Sequence, residues 1–170
     1  PILGVSTFFT LSGYLITSLL LRRADTGVDV PAFWRKRIRR LLPASLVTIA
    51  AVLVVFTPFV ATASQRDSVR GDSLASLLNV ANWWYLLADD SYGALFVDPS
   101  PLLHFWSLAI EEQFYLLFPL LLIGLWAVTG GRRKGIVVGL GSLTAVTVAL
   151  PFVFAMSEDR VYFGTDTRAP

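Results

Sequence analysis

Cysteine is absent from this chain of 170 residues, and histidine occurs once, at His104. The first absence excludes a disulfide scaffold, thiolate zinc sites and cysteine catalysis. The second excludes a histidine-rich metal centre. Charge is scarce too: charged residues make up 15% against 55% hydrophobic, with a mean hydropathy of +0.64. A soluble domain carries about 25% charged residues. A disordered segment, a basic nucleic-acid binder and an ordinary soluble enzyme are therefore excluded. There is no Walker loop, dinucleotide fingerprint or metal-ligand spacing, so no bound cofactor or metal is expected.

What the chain has instead is long apolar runs. Ile2–Leu21 holds no charge in 20 residues, Leu41–Ala63 none in 23, and Gly135–Ser157 none at all. Leu102–Gly131 lacks Lys and Arg but contains Glu111 and Glu112. A bilayer core of about 30 Å needs roughly 20 apolar residues in a helix. The expected fold is an all-α, polytopic membrane helix bundle in one domain over 1–170. Its spans lie near residues 2–21, 41–63, 102–129 and 136–156. Ile2–Leu21 is not read as a signal peptide, because Arg22-Arg23 follow it where a small-residue cleavage site belongs. Ser73–Ala88 is too short to span. With Trp83-Trp84-Tyr85 it suits a short interfacial helix, 73–88, in a loop over 64–101. Pro1-Ile2 enters a span at once and Asp166–Pro170 stops abruptly, so a fragment of a longer membrane protein is expected.

The few charges are sorted. Of the 14 basic residues, seven lie in Arg22–Arg40 and three in Arg132–Lys134. The positive-inside rule places loops 22–40 and 130–135 in the cytoplasm, with residues 64–101 outside. The expected location is the cytoplasmic membrane, with several passes and the lipid bilayer as partner.

Three features point to chemistry. In the first span, Ser6, Thr10, Gly13 and Thr17 share a helix face, which suits close helix packing or a hydroxyl-lined wall. Ser12-Gly13 lacks the flanking pattern of a nucleophile elbow. In Phe33–Pro43, five cations within six residues abut the second span. They suit anionic lipid, at about 1 kcal/mol each, or a phosphate gripped by Arg37 and Arg40. Pro43 is expected in the first turns of that span. In the third span Glu111 lies roughly 13 Å in from Leu102. A carboxylate there costs at least a few kcal/mol unless it is wet, paired or protonated. His104, Ser107, Glu111, Tyr115 and Phe118 form one stripe, with Glu112 about 100° away. His104 and Glu111, about 10 Å apart along the axis, do not make a ready triad. Pro119 removes a hydrogen bond to the Tyr115 carbonyl, with a kink expected just below the acids.

Phe8–Thr17 resembles the second-helix signature of the acyltransferase-3 family of bacterial integral membrane acyltransferases, of O-acetyltransferase type. Phe33–Pro43 resembles that family's arginine motif. Pro101–Pro119 is the longest match, Tyr162–Ala169 resembles the entry to the next helix, and Asn82-Trp83-Trp84-Tyr85 also fits. The blocks occur in family order over nearly the whole chain. The resemblance implies a roughly ten-helix enzyme that moves an acyl group, acetyl above all, from cytoplasmic acyl-CoA as co-substrate to a surface glycan or lipid-linked sugar. It maps a CoA-phosphate role onto Arg37 and Arg40, and it implies that the family's catalytic histidine belongs to a helix before Pro1. Within the chain, Glu111 and His104 are the catalytic candidates, with Ser107, Tyr115 and Arg168 as further substrate-binding candidates. Ser6 stands where the family often has Asp, and an outer SGNH-type domain follows the membrane part in some members. The competing readings are a transporter or channel for an anionic substrate, and a non-catalytic membrane anchor of an outer domain.

Overall fold

The structure, a computed structural model, describes residues 2–23, 29–87, 99–154, 156 and 158–165. It is helical throughout, with no strand among the described residues. The first helix, α1, runs over Ile2–Arg23. The second, α2, begins at Val30 and continues past Ala51 through a π-helical turn, Val52–Phe56, to Phe59. Two short helices follow, α3 (Ala63–Leu77) and α4 (Ala81–Leu87). The long helices α5 (Phe105–Val128) and α6 (Arg133–Val153) come next, then the short α7 (Glu158–Phe163). Val30–Phe59, α5 and α6 are long and apolar enough to cross a membrane, and α1 adds the shorter apolar segment Thr7–Arg22.

Local chemistry sets the boundaries, and two differ from expectation. The basic stretch is not a loop up to residue 40. Asp29 caps α2 through its Oδ1, which accepts the Ala32 N–H at 2.9 Å, and Pro31 occupies the first turn. Residues 30–40 are thus helical, and Pro43 lies in the helix interior rather than at its entry. The expected helix over 73–88 is two helices. They break at Asn79, whose φ of 55° puts a tight turn between α3 and α4. The α3 start is fixed by a capping box, in which Thr62 and Gln65 serve each other's backbone N–H groups. Within α2, Pro58 cannot return an N–H to Val54, and the Thr57 hydroxyl donates to the Val52 carbonyl at 2.8 Å.

The helix α5 is the hub. Its first turns join a cluster with Phe9, Ala75, Ala81, Tyr85 and Phe163, where Phe163 meets Trp106 edge to face. Its second half packs with Ile16 and Leu20 of α1 and Ile136 of α6. A third cluster joins Ile49 and Val52 of α2 to Val69 and Leu102. On the outer helices, Trp84 donates to Asp72 Oδ1 at 3.0 Å and lies against Gly71, where a Cβ would stand 2.5 Å from Trp84 Cζ2. A groove lined by Arg22, Trp126 and Arg133 brings the basic end of α1, the end of α5 and the basic start of α6 together. The two charge-rich turns therefore share one end of the bundle. Most of α6, by contrast, faces outward: Ile136 is its buried residue, and Val137, Val146, Val148 and Phe152 are exposed, as expected for a lipid-facing helix.

Candidate functional site

Between the two α5 clusters sits a polar junction. Glu111 is buried, at 6% exposure, and three donors converge on its Oε1. Arg37 Nη2 of α2 lies 2.8 Å away and Ser12 Oγ of α1 lies 3.0 Å away. The third donor is the Tyr115 hydroxyl, one turn along α5, which also contacts Ser12 Oγ. Three helices thus meet at one carboxylate oxygen. The Arg37 guanidinium stacks on the Tyr115 ring at 3.4 Å and reaches Glu112 Oε1 through Nε at 3.5 Å. A guanidinium suits this position: its planar fork addresses two acids while its face lies on an aromatic ring.

Depth follows from helix rise. At 1.5 Å per residue, Glu111 is about 9 Å from the start of α5 and about 25 Å from its end. Arg37 is about 10 Å from the start of α2. The basic end of α2 therefore penetrates the bundle instead of lying in a surface loop. Trp34 supports this entry. Its indole N–H donates to the Tyr115 carbonyl at 3.2 Å, the acceptor that Pro119 cannot serve. Beside this junction, Lys36, Arg37 and Arg40 line a cavity of about 220 Å³ floored by Leu19, Ala32 and Phe33. Lys36 and Arg40 are exposed and stand one turn apart. Among the described residues the only ion pairs are those of Arg37, so the two outer cations face the cavity without an acid.

The structure sorts the sequence candidates. Arg37, Glu111 and Tyr115 are brought together, and Arg40 stands at the neighbouring cavity. His104 is the exposed N-cap residue of α5, and no side-chain hydrogen bond joins it to Glu111 among the described residues. Ser107 donates to the His104 carbonyl at 3.1 Å and does not reach the junction. Arg168 lies outside the described residues. On α1 the buried face is Phe9, Ser12, Gly13, Ile16 and Leu20. Thr10 is exposed, and Thr17 donates back to the Gly13 carbonyl at 2.7 Å. The Ser6 side chain lies outside the described residues. Sequence reasoning missed Ser12, Lys36 and Trp34. The signal for Trp34 was present in Pro119, which announces an orphan carbonyl, but not which donor fills it.

A second polar network lies beside the junction on another face of α5. Gln113 donates to the Asn79 carbonyl at 2.8 Å and to Asn82 Oδ1 at 3.0 Å, while Trp83 and Thr165 donate to its Oε1. Asn82 in turn donates to the Phe163 carbonyl at 2.9 Å. This network ties α4, α5 and α7 together and holds the acid-bearing turn of α5 in place.

A helical membrane bundle with an arginine–carboxylate junction at its centre defines the class here, and the chain belongs to the acyltransferase-3 family: the family's acyltransferase domain matches residues 2–163. Among its relatives is peptidoglycan O-acetyltransferase OatA of Listeria monocytogenes serovar 1/2a (strain EGD-e). It is 44% identical over 98% of this chain and 27% of the relative. Another relative, of Bacillus subtilis (strain 168), carries the name "Putative peptidoglycan O-acetyltransferase YrhL" and is 42% identical over the same shares. The chain thus spans about a quarter of the length of these relatives. No solved structure matches it.

Proposed function

We propose that the intact protein is an O-acetyltransferase that carries an acetyl group from cytoplasmic acetyl-CoA to a hydroxyl of a cell-surface glycan, with peptidoglycan the favoured acceptor. The observation that carries this reading is the continuity between the basic cavity and the buried carboxylates, with Arg37 belonging to both. The CoA phosphates rest on Arg40 and its neighbour Lys36, which line the cavity and have no acid partner among the described residues. Arg37 is held by Glu111 and Glu112, so it aligns the junction rather than gripping phosphate alone.

The acceptor oxygen attacks the thioester carbonyl, the carbon–sulfur bond breaks, and the hydroxyl proton ends on the departing thiolate. A general base raises such a rate by about 10²–10⁴-fold. That task is assigned to a histidine of the intact protein outside these 170 residues, as the family resemblance implies. Glu111, fixed by three donors, orients the Tyr115 and Ser12 hydroxyls toward the reacting groups. The basic end of the bundle, with Arg22 and Arg133, faces the cytoplasm by the positive-inside rule, and Arg37 lies deeper, at the junction.

The test is transfer of label from radiolabelled acetyl-CoA to peptidoglycan fragments by the intact protein in lipid nanodiscs. Labelled glycan supports the reading. Movement of an anion across proteoliposomes without acetylated product would replace it with a transporter.

A further inference from the structure

Glu112 has a second neighbourhood, on the side away from Glu111. There α2, α3 and α5 leave a cavity of about 60 Å³ with Ser45, Ser76, Asn79 and Glu112 among its lining and leucine side chains around them. Ser76 is 2% exposed. Its Oγ and the Glu112 Oε1 are both buried and without a hydrogen-bond partner among the described residues. Ser76 Oγ, without a partner, and the Glu112 carboxyl, whose Oε1 has only a long 3.5 Å contact with Arg37 Nε, line one small cavity, an unfavourable arrangement unless a ligand serves both. Water takes about 30 Å³ in the liquid, so the space suits two molecules, each with polar partners within the lining.

The charges around Glu112 complete the case. From α2 it meets Arg37, from its own helix Glu111, and from α3 the uncharged Ser76. One guanidinium faces two carboxyl groups. Glu111 takes the 2.8 Å contact and two hydroxyl donors, while Glu112 has only the 3.5 Å contact. A second uncompensated negative charge in a membrane span is costly, and the weakly held carboxyl is the one that carries a proton.

We propose that this cavity is a water-binding site and that Glu112 is its protonated member, donating to water that links it to Ser76 Oγ. Glu112 is then the junction's proton-exchanging acid, and Glu111 its fixed carboxylate. The proposal rests on the reading above only in taking Arg37 and Glu111 as an ionised pair. Its test uses no substrate, so either can fail without the other.

The experiment is infrared difference spectroscopy of the intact protein in lipid nanodiscs, transferred from H₂O to D₂O. A protonated-carboxyl stretch should be present, vanish in Glu112→Gln, and shift to its deuterated position in D₂O. Ser76→Val, which fills the cavity, should slow that shift about 10-fold, the equivalent of one lost hydrogen bond. Ser76→Ala, which keeps the space but removes the Oγ, should fall between wild type and Ser76→Val. If Ser76→Val does not assemble, Leu108→Phe fills the same cavity from α5. Three results would each overturn the proposal: no band lost in Glu112→Gln, a band unmoved by D₂O, or wild-type exchange in the filled variant.

Discussion

Trp34 donates its indole N–H to the Tyr115 carbonyl, the one α5 acceptor left open by Pro119. A proline four residues along removes the usual intrahelical donor, and a tryptophan 81 residues away in sequence replaces it. This cross-helix bond places the basic turn of α2 against the acid-bearing turn of α5, so that Arg37 meets Glu111. Trp34→Phe should lower stability by about 1 kcal/mol, the worth of one hydrogen bond. Pro119→Ala restores the intrahelical donor, so Trp34→Phe should cost less in that background. Thermal unfolding of the four proteins in detergent gives the cycle, and additive effects would refute the link.

Among the described residues, Arg37 is the cation that pairs with both the buried Glu111 and the half-buried Glu112. Removing one partner of a buried pair costs about 3–5 kcal/mol. Arg37→Gln should therefore accumulate poorly in the membrane, and Glu111→Gln added to it should restore part of the folded yield. Glu111→Gln alone should assemble but lose at least ~100-fold in acetyl transfer, in the range expected for a group that orients catalytic hydroxyls. Undiminished turnover would make Glu111 a packing residue.

The exposed pair, Lys36 and Arg40, should act on donor binding alone. Charge-assisted contacts to phosphate are worth about 1.5–3 kcal/mol. Lys36→Gln with Arg40→Gln should raise KM for acetyl-CoA by at least ~10-fold and leave kcat nearly constant. A fall in kcat at unchanged KM would move these cations from binding to assembly.

Tyr85, on the short helix α4, is buried, and burial followed by the nearby Asp72 carboxylate pushes its phenol above the ordinary range, against a smaller opposing effect of Ser100. A raised folded-state value contributes stability that is complete below the unfolded phenol's value of about 10 and is lost as pH rises beyond it. Melting temperature should fall above pH ~10, and Tyr85→Phe should flatten that fall. The same substitution loses at most the contact with Ser100, so it should change stability at neutral pH by no more than ~1 kcal/mol. A larger loss at neutral pH would show that the hydroxyl does more than this.

Much of this was legible along the chain. Apolar runs gave the long helices, and Asp29-Val30-Pro31 carries the start of α2 in its own chemistry, although reading the cations as a loop obscured it. Glu111 stood out because an acid in a span demands a partner. The stripe from His104 to Phe118 was half right. Glu111, Tyr115 and Phe118 share the buried face, whereas α5 starts only at Phe105, which leaves His104 exposed at the cap. Ser12 was hidden for a related reason. On a helix of mixed small and apolar residues, several faces read alike, and only contact with α5 selects one.

The sequence by itself settled that this protein is a bundle of membrane-length helices with most of its cations grouped in two stretches. Hydropathy, capping and charge are properties of neighbouring residues, so they can be read without a fold. Only the tertiary structure decided that Arg37, Glu111, Tyr115 and Ser12 share one carboxylate oxygen while Arg40 stands apart. Those contacts bridge as many as 103 residues of sequence, and they exist only where three helices cross at one depth, a matter of packing that no local pattern encodes.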